Sequence, residues 1–315
     1  MSADRGLRVT AVVVTWNRSE LLGETLAALG AQARPVDSVV VVDNASDDGT
    51  AQLLAETTSS GTGPDVVTLR INTGGAGGFA AGIERASAAH APDWIWLMDD
   101  DTVPTESALE ELLAVVAAYP GDRAPTILAS RVVWTDGRDH PMNTPRRKPM
   151  LARAESLLAE AAGAVAIRSA SFVSILVNAA AVRERGLPVA DYFLWNDDFE
   201  YSTRLLRGRV GLFCPRSVAV HKTRTFGSTD ADPGERFFYE VRNKVWLFTR
   251  SRGLSPVEKA VYAGSTLRRW GRTAARSGDR ATLVRAGWRG LRAGVLHGPR
   301  PTADVLDAAR TRTDA

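Results

Sequence analysis

The sequence predicts an α/β fold with a mostly parallel central sheet, followed by a helical, basic C-terminal extension. Over the first 100 residues, short apolar runs rich in β-branched residues alternate with segments of helical periodicity, a pattern typical of repeated strand–helix–strand units. Polar turns rich in Asp, Asn and Gly separate these segments. Residues 250–315 contain 14 basic and 5 acidic residues and no strand pattern. We therefore expect one domain over residues 1–252 and a basic helical extension over 253–315.

Apolar spacing predicts the elements of the first 120 residues. Continuous apolar runs are typical of strands buried on both faces, and four of them lie at 9–14, 38–42, 66–71 and 94–98. Apolar residues three and four positions apart predict helices at 17–30, 47–57, 79–89 and 106–119. The third of these helices is expected to follow a glycine-rich turn.

The rest of the chain is less regular. Shorter apolar runs predict strands at 172–177, 209–213 and 217–220. Helices are predicted at 196–206, which begins on carboxylates, and at 237–250, which is rich in aromatic residues. Beyond about residue 255 the chain is expected to be helical, basic and dotted with Trp.

The composition excludes several classes of protein. The 315 residues are 44% hydrophobic and 24% charged, as in globular chains and unlike disordered or collagen-like ones. A single cysteine, Cys214, can form no internal disulfide, which suits a reducing cytosol. The sequence shows neither an apolar run of 18 residues nor the pattern of a secretory signal. We therefore expect a cytoplasmic protein without a membrane-spanning helix.

Charge is distributed unevenly along the chain. Residues 1–120 carry 6 basic and 17 acidic residues, whereas residues 121–315 carry 33 and 19. A basic part of this kind indicates an anionic partner, which can be a nucleic acid, a membrane surface or a phosphorylated ligand. A nucleic-acid binder would not explain the acidic N-terminal half, so no nucleic-acid partner is expected. The oligomeric state is not indicated by the sequence.

Polar residues follow each of the four predicted N-terminal strands. In an open parallel sheet, ligands bind in the crevice outside the carboxyl ends of the strands. The four polar sets should therefore converge on one crevice. They are Thr15, Trp16, Asn17 and Arg18; Asp43 to Ser46; Asn72 to Gly78; and Asp99, Asp100 and Asp101.

The aspartate triplet predicts a divalent metal site. Three adjacent carboxylates repel one another, and a cation removes that cost. Carboxylate oxygens are the ligands that Mg²⁺ and Mn²⁺ prefer. Alternate residues of an extended segment point the same way, so Asp99 and Asp101 can share one ion. The alternative is an exposed acidic turn.

The glycine segment 74–78 lets the backbone approach a phosphate or a sugar closely. Residues 75–80 also match the GxGxxA dinucleotide fingerprint, which would favour an NAD-dependent oxidoreductase. That fingerprint normally follows the first strand and precedes a lone acidic residue. Here it follows the third strand and precedes a triple acid, which favours a sugar or phosphate ligand.

A second acidic cluster contains Asp197, Asp198 and Glu200. These carboxylates either stabilise a helix N-terminus or supply a general base that faces the metal site. His221 follows a short strand and is either structural or a further metal ligand. The remaining histidines have no context that indicates a function; they are His90, His140 and His297.

In combination, these segments resemble the family 2 glycosyltransferases of the GT-A fold. The resemblance covers about residues 8–250 and rests on VVTWNR, VVVDNASDDGT, the glycine turn, WLMDDD and WNDDFEY followed by His221. Within the family, NTGGAGGF, the aspartate triplet and the WNDD…H arrangement look most like bacterial galactofuranosyltransferases of cell-wall galactan and related polysaccharides. Rhamnosyltransferases that use dTDP-rhamnose are similar, so this donor is the alternative.

The resemblance implies a role for each matching residue. Asp43 would contact the uracil, and Asp99, Asp101 and His221 would hold Mn²⁺ or Mg²⁺ on the diphosphate. Residues around the donor nucleotide would be Thr15, Asn17, Arg18, Asn72, Gly74, Gly75, Asp99 and Asp100. Asp198 would be the catalytic base, while Trp195, Asp197 and Glu200 would shape the acceptor site. Asn196, inserted between Trp195 and the acidic pair, departs from the pattern and leaves the catalytic division between Asp197 and Asp198 open.

The resemblance also implies an inverting, metal-dependent enzyme with a UDP-sugar donor and a glycan or polyprenyl-diphosphate-linked acceptor. The basic extension 253–315 suits contact with an anionic membrane at its cytoplasmic face, because arginines and tryptophans recur at helical spacing. They are Arg268, Arg269, Trp270, Arg272, Arg276, Arg280, Arg285, Trp288, Arg289 and Arg292. The alternative is a solvated helix pair that packs on the catalytic domain.

Overall fold

A computed structural model describes residues 6–58, 63–149, 151–227 and 232–310. In these ranges one mixed sheet has the strand order β3-β2-β1-β4-β9-β6-β10-β8-β7, and β5 pairs with β10. The strands are β1 (Val9–Thr15), β2 (Ser38–Asn44), β3 (Asp65–Leu69), β4 (Trp94–Asp99), β5 (Thr102–Pro104), β6 (Ile127–Val133), β7 (Arg146–Arg147), β8 (Val165–Ser169), β9 (Ile175–Asn178) and β10 (Gly211–His221). Only β5, β8 and β9 run against the other described strands, which confirms the predicted mostly parallel α/β fold.

Helices cover both faces of the sheet and form the C-terminal part of the chain. They are α1 (Ser19–Gly30), α2 (Thr50–Thr58), α3 (Gly74–Ala89), α4 (Ala108–Ala118), α5 (Arg153–Ala161), α6 (Ala179–Arg185), α7 (Asp197–Leu205), α8 (Phe237–Thr249), α9 (Pro256–Arg276), α10 (Arg280–Leu296) and α11 (Thr302–Arg310). No helix within the described ranges combines the length and the apolar character needed to cross a membrane.

The strand register brings the predicted polar sets together. β1 pairs in parallel with β2 and β4, so Thr15 lies opposite Asp43 and Val14 lies opposite Asp99. β5 pairs antiparallel with β10, which places His221 opposite Thr102, the residue after the aspartate triplet. One edge of the sheet thus carries residues from distant parts of the chain.

The structure corrects three of the predicted elements. The strands predicted at 209–213 and 217–220 are one strand, β10, which bends at an irregularity between Cys214 and Val218. The strand predicted at 172–177 begins three residues further along the chain, as β9 (Ile175–Asn178). Strands β5 to β8 and helices α5 and α6 were not predicted, because their apolar runs are short or broken by polar residues that other elements bury.

Helix α3 begins at Gly74, five residues before the predicted start. A Cβ on Gly78 would lie 2.4 Å from Val14 Cγ1, and one on Gly82 would lie 2.4 Å from Val12 Cγ1. These glycines let α3 lie directly on β1. Close packing therefore outweighs the low helix propensity of glycine, on which the expectation of a turn rested.

The hydrophobic core lies on both faces of the sheet. Val305, Leu306 and Ala309 of α11 are buried in the same cluster as Val42 and Leu69. Part of the 253–315 segment therefore belongs to the core of the preceding domain. A boundary at residue 252 stays a prediction.

Candidate active site

Three side chains form a cluster able to hold a metal ion at the edge of the sheet. Asp99, Asp101 and His221 each offer a ligand atom, and these atoms lie within 4.8 Å of one another. Nε2 of His221 lies 3.0 Å from Oδ1 of Asp101. The structure thus brings together the three residues expected to bind the metal.

The orientation of His221 leaves its Nε2 directed at the cluster. Asn143 donates from Nδ2 to Ser171 Oγ at 2.9 Å, so its Oδ1 accepts the Nδ1–H of His221 at 2.9 Å. Such a partner fixes the tautomer of a metal-binding histidine. His140 is fully buried and packs on His221 with ring centroids 5.1 Å apart. Asn143 and His140 therefore support the cluster, a role the sequence did not indicate.

The charges of the cluster fit a divalent cation. Burial, with the charges of Asp101 and Asp100, raises the pKa of Asp99 well above its usual range. Among the described residues, Oδ1 of Asp101 is buried without a hydrogen-bond partner. It lies 3.0 Å from Nε2 of His221, and a cation held between these two atoms would contact both of them. The residues present therefore fit a hard metal ion.

Asp100 has a different environment from its two neighbours. Its carboxylate accepts hydrogen bonds from the Trp16 backbone N–H at 3.2 Å and from the Arg18 guanidinium at 3.1 Å. Burial raises its pKa to about 6, while the charge of Arg18 opposes this increase. Arg18 also pairs with Asp101, and its side chain is 47% exposed. Asp100 therefore ties the β1 loop to the triplet, and Arg18 faces the crevice.

The loops after β1 and β2 are joined on the expected nucleotide side. Asn17 donates to Asp47 Oδ1 at 2.6 Å and accepts from the Asp47 backbone N–H at 2.8 Å. Asp43 is buried and accepts from the Ser46 backbone N–H at 2.9 Å. Thr15 lies buried beside Asp43 in the register of the sheet. These five residues form one wall of the crevice.

An asparagine network holds the start of α3 against this wall. Asn44 Oδ1 accepts from the Thr73 backbone N–H at 2.9 Å, and Asn44 Nδ2 donates to the Gly74 carbonyl at 2.9 Å. Asn72 Oδ1 accepts from the Gly74 N–H at 2.7 Å. Asn72 is thus occupied in shaping the glycine segment.

The start of α3 joins the end of β2 to the segment before the second acidic cluster. Gly74 has φ of +68°, and a Cβ there would lie 1.9 Å from the Phe193 carbonyl oxygen. Beside it, the Ala76 N–H donates to the same carbonyl at 3.3 Å. A Cβ on Gly75 would face Oδ2 of Asp197 at 3.9 Å. Gly74 is therefore required for the close approach of the two chain segments, whereas a Cβ on Gly75 would make only ordinary contact with Asp197.

The segment before α7 has an unusual backbone. Phe193, Trp195 and Asn196 all have φ near +64°, in the left-handed region. The buried amide of Asn243 donates to the carbonyls of Tyr192 and Leu194 at 2.9 and 2.8 Å, and it also lies 2.9 Å from the Trp195 carbonyl. Backbone strain of this kind persists where surrounding contacts impose it. Asn243, which the sequence did not indicate, thus holds the acidic cluster in place.

Asp197 and Asp198 begin α7 and face different surroundings. Burial, followed by the charge of Asp198, raises the pKa of Asp197 to about 8. Burial also raises the pKa of Asp198, but the Phe199 N–H at 2.6 Å and the charges of Lys244 and Arg146 oppose the increase. The charge of Asp197 also contributes to the raised pKa of Asp99, so Asp197 lies on the side of the pair that is near the metal cluster.

The other two expected acceptor residues are placed apart. The Trp195 ring lies 5.3 Å from the guanidinium carbon of Arg236 beside the acidic pair. Glu200 is buried, pairs with Arg204 at 2.9 Å and accepts from Ser251 Oγ at 2.8 Å. Because its carboxylate is satisfied within the protein, this placement disagrees with the acceptor role expected for Glu200.

Comparison with known proteins identifies the family. The sequence model of glycosyl transferase family 2 matches residues 10–174, more than half of the chain. The chain is also 31% identical over 266 residues to galactofuranosyltransferase GlfT1 of Mycobacterium tuberculosis, covering 77% of this chain and 82% of that protein. The chain belongs to glycosyl transferase family 2. It is also 44% identical over 101 residues to GlfT1 of Mycolicibacterium smegmatis, 32% of each chain.

Solved structures share the fold of this family 2 glycosyltransferase. S. aureus TarS 1–349 in complex with UDP-GlcNAc has a TM-score of 0.61 at 16% identity, covering 89% of this chain and 79% of that one. GalNAc-T7 with UDP, GalNAc and Mn²⁺ has a TM-score of 0.60 at 15% identity, covering 97% and 58%. The GT-A fold predicted from the sequence is confirmed. Membership of the family replaces the alternative of an NAD-dependent oxidoreductase.

Proposed function

We propose that this family 2 glycosyltransferase transfers galactofuranose from UDP-galactofuranose, with inversion, to a glycan or polyprenyl-diphosphate-linked acceptor in cell-wall or polysaccharide synthesis. The observation that carries the proposal is the Asp99–Asp101–His221 cluster, with Asp197 near enough for its charge to act on Asp99. The donor is supported by the galactofuranosyltransferase relatives and by neighbours solved with UDP or UDP-GlcNAc.

On the donor side, charge and backbone geometry suit a nucleoside diphosphate. Asp43 lies at the wall expected to receive the uracil, and the exposed guanidinium of Arg18 faces the crevice beside the triplet. Asp99, Asp101 and His221 would hold Mn²⁺ or Mg²⁺ on the diphosphate. When bound, such an ion neutralises charge that develops on the leaving group.

On the acceptor side, Asp198 is the better candidate for the base. A pKa of about 8 keeps Asp197 largely protonated at neutral pH. Asp198 accepts the Phe199 N–H at the start of α7 and has two cations nearby, which favour its ionised form. In the proposed step Asp198 takes the proton of the acceptor hydroxyl as that oxygen attacks the anomeric carbon opposite the diphosphate. A single displacement of this kind inverts the anomeric centre.

We expect UDP-galactofuranose to bind in preference to other sugar nucleotides, and to depend on Mn²⁺. Calorimetry on the full chain would compare it with UDP-galactopyranose, UDP-glucose and dTDP-rhamnose, each with and without Mn²⁺. Tighter, metal-dependent binding of UDP-galactofuranose supports the proposal. A preference for dTDP-rhamnose would retain the site and move the donor to the rhamnosyl class. Donor binding that is indifferent to metal would contradict the proposed metal site.

A membrane contact is the second part of the proposal, and α10 carries it. One face of α10 packs on α8, where Gly290 and Gly294 allow close approach. On another face Val284, Trp288 and Val295 are 70%, 66% and 59% exposed. With Leu291 they form a stripe at helical spacing, flanked by exposed arginines. An apolar stripe edged with arginine suits the interface of an anionic membrane.

The double variant Val284→Ser/Trp288→Ser should bind anionic vesicles about 10-fold more weakly than the unaltered chain, since each side chain contributes apolar burial. Co-sedimentation of the full chain with phosphatidylglycerol vesicles would measure this, with phosphatidylcholine vesicles for comparison. Leu157→Ser, which alters an exposed apolar residue on α5, is the matched control. Equal vesicle binding by the double variant and the control would rule out the α10 stripe as the contact.

A further inference from the structure

A polar cavity of about 120 Å³ lies beside Asp198, between β8, the 142–146 segment and α8. Its lining includes three cations: Arg146, Lys244 and Arg269. Hydroxyls of Thr144, Ser169 and Ser171 complete the polar lining. A volume of this size holds several water molecules, and therefore also a small charged group.

The cations of this cavity are unequally paired. Arg269 forms an ion pair with Glu240, so its charge is balanced. In the described part of the chain, Lys244 and Arg146 form no ion pair or side-chain hydrogen bond. They contact aromatic rings instead: Lys244 Nζ lies 4.9 Å from the Phe199 centroid, and the Arg146 guanidinium carbon lies 5.4 Å from it. Two cations thus face the cavity without a carboxylate within 4 Å.

The burial of Lys244 makes this imbalance of charge energetically unfavourable. The residue is only 7% exposed, and an isolated buried ammonium is unfavourable unless an anion compensates it. Burial lowers its pKa to about 8, which still leaves it mainly protonated at neutral pH. The charges of Glu240 and Asp198 both act on Lys244. Glu240, however, already pairs with Arg269, and the proposed role of Asp198 requires a carboxylate free to receive a proton. The positive charge of the cavity is therefore fully compensated only when a further anion binds there.

We infer that this cavity binds an oxyanion carried by the acceptor, a phosphate or a carboxylate, through Lys244 and Arg146. The inference rests on the proposed function, since it assumes that the cleft beside Asp198 receives the acceptor. Arg146 offers a planar set of donors that matches either oxyanion, and Lys244 offers a compact charge at the base of the cavity. The site would select an acidic acceptor over a neutral glycan and hold it beside the candidate base.

The test titrates small oxyanions into the full chain saturated with UDP and Mn²⁺, so that the donor site is already filled. Calorimetry would follow methyl phosphate, acetate and, as the neutral probe, methanol. We expect saturable binding of methyl phosphate or acetate but not of methanol. Tighter binding of methyl phosphate would indicate a phosphate-bearing acceptor, and tighter binding of acetate would indicate a carboxylate-bearing one. Lys244→Met and Arg146→Gln should each weaken that binding at least about 10-fold. Arg123→Gln, an exposed arginine elsewhere, should not.

Two results would overturn the inference: no saturable binding of either anion, or unchanged binding in both variants. Arg146 is exposed, so Arg146→Gln keeps the test decisive even if the buried Lys244→Met variant fails to fold. UDP affinity is measured separately in the same titrations. If the unaltered chain did not bind UDP, the proposed function would be contradicted. If it bound UDP but neither oxyanion, only this inference would be contradicted.

Discussion

Asp198→Asn should lower the rate of sugar transfer about 10³-fold while leaving the affinity for UDP within a few-fold of the unaltered chain. The substitution keeps the size of the side chain and removes the oxygen that would accept the proton of the acceptor hydroxyl. Asp198 lines the cavity on the acceptor side, away from the cluster of possible metal ligands, so nucleotide binding should be spared. Initial rates of transfer and calorimetry with UDP and Mn²⁺ would measure the two effects.

The matched control is Glu184→Gln, which alters a half-exposed carboxylate paired with Arg209 on the surface. It should have the transfer rate of the unaltered chain. Asp197→Asn is the discriminating variant, because Asp197 and Asp198 are neighbours with different surroundings. If Asp197→Asn abolished transfer and Asp198→Asn stayed within 10-fold of normal, the base would be Asp197.

The pH dependence of the unaltered enzyme gives a further check on this assignment. Burial raises the pKa of Asp198, and a base must be deprotonated to act. The transfer rate should therefore be highest at high pH and should fall as the pH decreases. The midpoint of this fall should lie above the ordinary pKa of an aspartate. In Asp198→Asn the residual rate should lose that dependence.

Much of the proposed donor half of the site could be predicted from the sequence, because it depends on local patterns. Buried parallel strands are recognisable in a sequence as apolar runs, and the residues that follow them lie along one edge of the sheet. Asp43, the glycine segment and Asp99 to Asp101 were found in this way, and the register of β1 with β2 and β4 places them together.

The supporting residues could not be predicted, because long-range contacts give them their role. Asn143 lies in a Pro- and Arg-rich loop and meets His221 only through the fold. Asn243 and Lys244 lie on α8 in an aromatic stretch with no local signal, and they face the 192–198 segment only after α8 docks. Conversely, Glu200 shares a helix with Asp198 but points to Arg204, a difference that spacing alone did not reveal.

Asp101→Asn should weaken Mn²⁺-dependent donor binding about 100-fold, because a neutral amide is a poor ligand for a hard cation and Asp101 faces His221 at the centre of the cluster. Calorimetry with UDP across a range of Mn²⁺ concentrations would measure the loss. Asp100→Asn is the matched control, since Asp100 bonds to Trp16 and Arg18 and lies outside the cluster. It should keep the metal dependence of UDP binding. Equal metal dependence in Asp101→Asn and the unaltered chain would contradict the cluster as the metal site, whereas a loss confined to Asp100→Asn would assign the metal to the middle carboxylate.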